Sequence, residues 1–285
     1  MYSGLKPTWR DNRDVDFHRT FGAVTAFQDE LDVDNGGGMP DQDKDENPYE
    51  CTGYTIVDVA RDEEGVEFNP SYTYAKTLLI SGTTGKAQGA DLRDALKSAR
   101  VYGLLPSEKT PKDLVDVPEN INSDYTRWPV ALDLDAGAHR RGKYANVQPL
   151  NGDWFDGIRS AVQMNELSVI MGTPWFSEWT RNVAPKHGYI FQKPSRSPDS
   201  WHAWKVSGWK KINGLPYLKA KSWQGTEVGD GGWLYFSRDA VNALWKVYGT
   251  QAFTIVKAVP DDYLTIKLDI FTTVLTFLFR QLARL

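Results

Sequence analysis

The stretch CTGYTIVDVARDEEG, residues 51–65, begins with the only cysteine of a 285-residue chain. Apolar residues recur through it at nearly helical spacing, and Gly65 at its end is a typical helix stop. The sequence therefore predicts a helix that begins at Cys51. Because a helix N-terminus carries a partial positive charge, it favours a thiolate there. Cys51 is either a buried structural residue or a nucleophile.

Two more helices are predicted around this stretch. GADLRDALKSARVYGL, residues 89–104, carries an apolar stripe on one helical face and has Gly103 near its end. DWFDGIRSAVQMNEL, residues 153–167, has the same character and is followed by the short apolar strand SVIMGTPW. Residues 1–50 are rich in Gly, Pro, Asn and Asp, and we expect them to be irregular.

The last third of the chain indicates a sheet. HAWKVSGW, YLKAKSW and GGWLYFS are strand-like runs, and Asn213-Gly214 between the first two is a strong hairpin-turn dipeptide. The many tryptophans of this region are more typical of core and interface packing than of a ligand groove. Helices at the front and strands at the back predict an α+β fold of two lobes.

Composition and charge restrict the class of protein. A hydrophobic content of 41% with 25% charged residues is typical of a globular protein rather than a disordered one. The net charge of −4 argues against nucleic acid and against an acidic membrane surface as partners. MYSGLKPTWRDNRD, at the N-terminus, has no apolar core of signal-peptide length, so we expect no secretion and a cytoplasmic or virion-associated location.

Five short segments follow one another between about residues 7 and 240. They are TWRD, MPDQ before Cys51, ALKSARVYGLLPSE, HAWKVSGW and KSWQGTEVGDGGWLYFSR. In this order they resemble the papain family of cysteine peptidases. The resemblance implies a papain-like two-lobe fold, with a helical lobe over residues 1–125 and an antiparallel β-rich lobe over residues 126–260. It also implies a peptide or protein substrate and no cofactor.

The resemblance assigns roles to three residues. Cys51 corresponds to the nucleophile, His202 to the general base, and Gln42 to the donor of the oxyanion hole. The chemistry agrees, because a thiol attacks as thiolate and an adjacent imidazole favours that form. A side-chain amide can hold the negative oxygen of a tetrahedral intermediate. The other histidines lie in irregular polar surroundings and are predicted to be surface residues: His18, His139 and His187.

The sequence departs from the family at three positions. Cys51 follows Gln42 by nine residues, a longer gap than the family keeps, and Thr52 stands where a tryptophan is usual. Lys221 precedes Ser222 where the family has the asparagine that orients the histidine. Lysine has no acceptor for an imidazole N–H. A second cation near the ring would also disfavour imidazolium.

These departures leave two functions open. The first is an active peptidase, weakened by the lysine, that hydrolyses peptide bonds through an acyl-enzyme. The second is a catalytically degenerate peptidase fold that serves as a structural or assembly component, such as part of a phage virion. The second follows from resemblance to papain-like chains of phages and bacteria, which have short N-termini and no disulfides. Fold-level analogy alone supports it.

An acidic loop precedes Cys51. Asp41, Asp43 and Asp45 occupy alternate positions, as at the start of a calcium loop. The usual calcium loop has glycine at its sixth position and glutamate at its twelfth, and this sequence has Glu46 and Thr52. We therefore predict a solvated acidic turn, with calcium as the weaker alternative.

The segment 261–285 has the pattern of an amphipathic helix. Acidic residues begin it and arginines lie near its end, as the helix dipole favours. Its uncharged core is too short to span a bilayer. The stripe could pack on its own fold, on a partner subunit or on a membrane surface, and we expect it to anchor the chain in a larger assembly. The stripe comprises Leu264, Leu268, Phe271, Leu275, Leu278, Leu282 and Leu285.

Overall fold

The structure of the chain is a computed structural model. It describes residues 5–6, 11, 14–42, 49–86, 88–114, 123–176, 179, 189–191, 193 and 197–256. The described residues form three short 3-10 helices and seven α-helices: α1 (Phe17–Phe21), α2 (Cys51–Glu64), α3 (Pro70–Ile80), α4 (Leu92–Val101), α5 (Leu132–Gly137), α6 (Trp154–Asn165) and α7 (Arg238–Tyr248).

Local chemistry fixes where the predicted helices begin and end. The N–H of Gly65 donates to Arg61 O at 2.7 Å, and its φ of 69° is the left-handed value that glycine tolerates, so α2 stops there. Asp91 and Asp153 accept backbone N–H groups at the starts of α4 and α6. All three predicted helices are confirmed.

The described strands form one sheet. Its order is β2-β8-β3-β5-β6-β7-β4, and β1 pairs with β5. Every pairing is antiparallel except that of β4 with β7. The strands are β1 (Leu31–Asp32), β2 (Tyr144–Asn146), β3 (Val169–Trp175), β4 (Tyr189–Phe191), β5 (Ser200–Ile212), β6 (Leu215–Lys221), β7 (Trp233–Phe236) and β8 (Gln251–Ile255).

The turn between β5 and β6 confirms the predicted hairpin. Asn213 has φ of 52° and Gly214 has φ of 80°, which is the two-residue turn that matches the twist of adjacent strands. The hairpin holds β5 and β6 in a register that pairs Lys205 with Lys221. This pairing places the two lysines side by side on the sheet.

The hydrophobic core lies on both faces of the sheet. Successive strand residues alternate between the faces: Ile170 and Ala203 belong to the core under α2 and α4, and Met171 and Trp204 belong to the core under α6 and α7. The first core is drawn mainly from the front of the chain and the second mainly from the back. The lobe boundary at residues 125 and 126 stays a prediction.

One expectation about the chain needs correction, and one element was not predicted. Residues 1–50, predicted to be irregular, contain α1 and β1. Beyond the last of the five segments the chain forms β8, which lies inside the sheet between β2 and β3. All five residues of β8 are buried. A short apolar run of this kind is hard to assign from periodicity alone.

Several predicted features lie outside the described residues. They include the 261–285 helix, Asp43, Asp45, His187 and most of TWRD. The assembly role of the 261–285 helix therefore stays a prediction. Across the part of the chain that the structure describes, every helix is too short or too polar to cross a bilayer.

Candidate active site

Cys51 is the first residue of α2, as predicted, and it is fully buried on the face of the helix that packs against the sheet. The Thr55 hydroxyl, one turn further along, donates to Cys51 O at 2.7 Å. This bond closes the first turn of the helix and fixes the backbone that carries the thiol. The positive end of the helix dipole lies at the sulfur's own residue.

His202 lies near the start of β5, opposite Thr173 of β3. Its Nε2 is 2.7 Å from Ser222 O. Because a backbone carbonyl can only accept, Nε2 carries the proton and Nδ1 is left as the acceptor of the neutral ring. The ring contacts both Trp175 and Trp204, with ring centroids 5.1 and 4.9 Å away, and these two indoles stack on each other.

The His202 side chain is buried, and burial lowers its pKa to about 4. The hydrogen bond to Ser222 opposes this shift but is the smaller effect. Desolvation disfavours a charged imidazolium more than one carbonyl acceptor can stabilise it. The imidazole is therefore neutral at pH 7, with its tautomer set by Ser222.

Trp223 forms hydrogen bonds with the start of α2 and with β5, the strand that carries His202. Its indole N–H is 2.9 Å from Thr55 Oγ1 and 3.0 Å from Ala203 O, so a single donor contacts both elements. Thr55 in turn holds Cys51 O, and Ala203 follows His202 directly. Trp223 has φ of 62°, a conformation that non-glycine residues adopt at a cost. The chain is strained at the point that links the two candidate catalytic residues.

Gln42 is buried beside the same segment. Its backbone N–H donates to Trp223 O at 2.9 Å, and Gly225 N–H donates to Pro40 O at 3.0 Å. Asp41 forms an isolated β-bridge with Gln224. The residues just before the acidic loop are thus paired with the residues just after Ser222, although the gap between Gln42 and Cys51 is unusually long.

The Lys221 side chain takes no part in the hydrogen bond between His202 and Ser222. Its Nζ lies 3.0 Å from Asp58 Oδ2 and 3.3 Å from Gly38 O. The acceptor that the family's asparagine would supply is instead the backbone carbonyl of Ser222, whose hydroxyl lies 3.5 Å from Gly232 O. The ring is oriented by main chain, so the lysine does not leave its N–H unsatisfied.

The remaining site expectations concern Thr52 and the acidic loop. Thr52 is buried in the first turn of α2. Asp41 forms the β-bridge with Gln224, and the other two aspartates of the predicted acidic loop, Asp43 and Asp45, lie outside the described residues. Within the described ranges, no group of three His, Cys, Asp or Glu residues could hold a metal ion.

Sequence reasoning missed the residues that connect the site. Thr55 and Trp223 link the helix to the strand, and Trp175 and Trp204 contact the imidazole. A signal was present: tryptophans cluster around His202 and after Ser222 in the sequence. Their use as packing residues was predicted, but pattern alone does not tell which indole N–H meets which acceptor.

Comparisons with known proteins bear on the fold. No protein-family model matches the sequence, and a search of curated proteins also gives no match. Xylellain, a cysteine protease from Xylella fastidiosa, matches with a TM-score of 0.69 at 16% identity, over 90% of this chain and 96% of its own. Digestive procathepsin L2 proteinase from Tenebrio molitor larval midgut matches with 0.63 at 12% identity, over 90% and 78%.

Bromelain protease from Ananas comosus, in complex with the E64 inhibitor, matches with a TM-score of 0.57 at 12% identity, over 81% of this chain and 99% of its own. The chain has a papain-like fold. The helical and antiparallel elements predicted from the sequence are the elements of this fold. At these identities the likeness establishes the papain-like fold and leaves the chemistry to the residues of this chain.

Proposed function

We propose that this papain-like chain is a cysteine peptidase that uses Cys51 as nucleophile and His202 as general base. The observation that carries the proposal is the 2.7 Å contact of His202 Nε2 with Ser222 O. It supports a ring whose Nδ1 is free of its proton, which is the form a general base requires. The position of Cys51 at a helix N-terminus supports its role independently.

The reaction would proceed through an acyl-enzyme. The Cys51 thiol gives its proton to His202 Nδ1 as sulfur attacks the peptide carbonyl carbon, and the imidazolium then returns that proton to the leaving amine. Water hydrolyses the thioester with His202 again taking a proton, which releases the acid and regenerates the thiol. Gln42 would donate to the oxyanion in both steps.

The neutral imidazole changes the expected pH behaviour of the pair. An imidazole with a pKa of about 4 does not hold the thiol as a resting ion pair at pH 6; it acts as a base during attack. The sequence suggested that Lys221 places a second cation near the imidazole. The Lys221 ammonium instead pairs with Asp58. Peptidase chemistry is therefore compatible with lysine at this position.

Labelling of the only cysteine tests the proposal. Iodoacetamide and an E64-type epoxide should react with Cys51, and His202→Ala should slow the reaction at least tenfold at pH 7 while the fold remains. Cleavage of a fluorogenic peptide library should be lost in both Cys51→Ser and His202→Ala. The matched control is His139→Ala, which removes a histidine on the helical side that contacts Glu64.

Equal labelling of the wild-type chain and His202→Ala would refute the assignment of His202 as the base. Cleavage that survives Cys51→Ser would refute the assignment of the nucleophile.

A further inference from the structure

A glycine-rich loop, residues 34–42, leads to the candidate oxyanion residue. It begins after β1, whose neighbour Val33 donates its N–H to Ser207 O, and it ends at Gln42, which donates to Trp223 O. Between these ends the Asn35 N–H donates to Asp62 Oδ1 at 3.2 Å. The loop is thus held to α2, to β5 and to the segment after Ser222.

The side chains under this loop form a buried charge cluster. Lys205 and Lys221 lie side by side on the sheet and meet carboxylates from α2 and from the loop. The pKa of Lys205 is raised, because the three neighbouring carboxylates outweigh burial, so the lysine stays charged. The cluster comprises Asp34, Asp58, Asp62, Arg61, Lys205 and Lys221.

Lys221 contacts the glycine-rich loop directly. It is 1% exposed, and its Nζ donates to Asp58 Oδ2 at 3.0 Å and to Gly38 O at 3.3 Å. Neighbouring Gly37 lies so close to the Arg61 guanidinium that a Cβ there would be 1.6 Å from Arg61 Cζ. Because Gly37 has no side chain, the loop lies directly against the guanidinium.

We infer that Lys221 is a positioning residue that fixes the glycine-rich loop, and through it Gln42, against the His202–Ser222 contact. The inference rests on the proposed function. Papain-like enzymes have an asparagine at the position of Lys221. Here the Ser222 carbonyl orients the imidazole, so the Lys221 side chain is available to hold the glycine-rich loop. Lys221 acts through Gln42 and does not touch the reacting atoms.

A charge-balanced variant tests the inference. Lys221→Met alone leaves a buried carboxylate without one of its partners, so it is combined with Asp58→Asn, which removes one positive and one negative charge together. In this double variant we expect amide hydrogen exchange at Asn35 and Gln42 to accelerate at least tenfold. We also expect kcat to fall roughly 10- to 100-fold with KM nearly unchanged, since a misplaced donor costs mainly transition-state stabilisation.

A double-mutant cycle with Gln42→Ala distinguishes an effect on the position of Gln42 from a general loss of activity. Gln42→Ala should lower kcat by about 10²-fold. Adding Lys221→Met and Asp58→Asn to it should lower kcat no further, because the donor being positioned is already gone. The matched control is Lys76→Met with Asp133→Asn, which removes another lysine–aspartate pair, at 2.7 Å, between a buried lysine of α3 and a half-buried aspartate of α5. It should change neither the loop exchange nor kcat.

Unchanged exchange at Asn35 and Gln42 in the charge-balanced variant would overturn the inference. So would a loss of kcat that is equally large with and without Gln42. A wild-type chain that cleaves no peptide and whose Cys51 labelling ignores His202 would overturn the proposed function instead. Faster loop exchange would in that case still support Lys221 as the residue that holds the loop.

Discussion

Helix α2 contacts the sheet through a neutral half at its N-terminal end and a charged half further along. In its first turns the hydrogen bonds are neutral: the Thr55 hydroxyl donates to Cys51 O and accepts from the Trp223 indole N–H. Two turns further along, Asp58 and Asp62 face buried lysines of β5 and β6 through ion pairs. Both halves are buried in the same interface, so exposure to water does not explain the difference.

The candidate catalytic residues therefore lie in the neutral half, apart from the buried ion pairs of the charged half. Around His202 the contacts are a carbonyl and two indole rings, which leave the imidazole neutral. The carboxylates that could stabilise an imidazolium are instead paired with lysines further along the helix. A neutral imidazole can accept a proton, although a pKa this far below 7 makes it a weak base. Four experiments test the contrast between the two halves.

The largest effect is expected in the charged half. Lys205 is fully buried and meets Asp34, Asp58 and Asp62. Lys205→Met should lower the free energy of unfolding by roughly 3–5 kcal/mol, because it removes the cation that three buried carboxylates share. Urea unfolding followed by tryptophan fluorescence measures the change.

The control for this experiment is Lys210→Met on the same strand. Lys210 pairs with Asp230 at the surface, and both side chains are more than a third exposed. We expect a loss below about 1 kcal/mol there. Similar losses for the two variants would show that the buried charge cluster contributes no more than a surface pair.

The next effect concerns the neutral half and appears as a dependence on pH. The folded-state pKa of His202, about 4, lies below its ordinary value of 6.5. The folded chain therefore binds fewer protons than the unfolded chain between these values. Stability from this group is complete above pH 6.5 and is lost as the pH falls to 4, by about 3 kcal/mol in total.

Comparison with His202→Gln isolates this contribution. The difference in unfolding free energy between the wild-type chain and the variant should shift by about 3 kcal/mol between pH 7 and pH 4, with the wild type losing more. A constant difference across this range would mean that the imidazole is already charged in the folded state. The two halves of α2 would then be electrostatically alike.

The contrast between the two halves was only partly visible in the sequence. Periodicity located α2, α4 and α6, glycines marked the ends of the first two, and Asn213-Gly214 located the hairpin, because these signals are local. Cys51, His202 and Gln42 were selected by resemblance to a family. The partner of His202 could not be found in this way, since the acceptor is a backbone carbonyl that every residue possesses.

The same limit explains Lys221. In the sequence it marks a loss of the orienting acceptor, and only the sheet register shows that it lies beside Lys205 and over Asp58. Pairings between residues more than a hundred positions apart carry no local signal. The strand β8 was missed for a related reason, because a five-residue apolar run fits more than one structure.

A smaller effect is expected from the link between helix and strand. Thr55→Val keeps the shape of the side chain but removes the donor to Cys51 O and an acceptor of the Trp223 indole. Trp223 retains Ala203 O as its second acceptor. We expect a loss of about 1–2 kcal/mol in unfolding free energy and slower labelling of Cys51, because the first turn of α2 is less firmly fixed.

The smallest effect is expected far from α2, at the β5–β6 turn. Gly214 has φ of 80°, and a Cβ there would meet no atom within 4 Å, so Gly214→Ala carries only the backbone cost of the left-handed conformation, about 1 kcal/mol. Its loss of stability is close to that of Thr55→Val, which makes the two a matched pair. Thermal unfolding and iodoacetamide labelling are measured on both. Labelling of Cys51 should slow in Thr55→Val and stay at the wild-type rate in Gly214→Ala. Equal slowing in both would mean that the thiol responds to stability in general and that the neutral half of α2 has no special part in holding it.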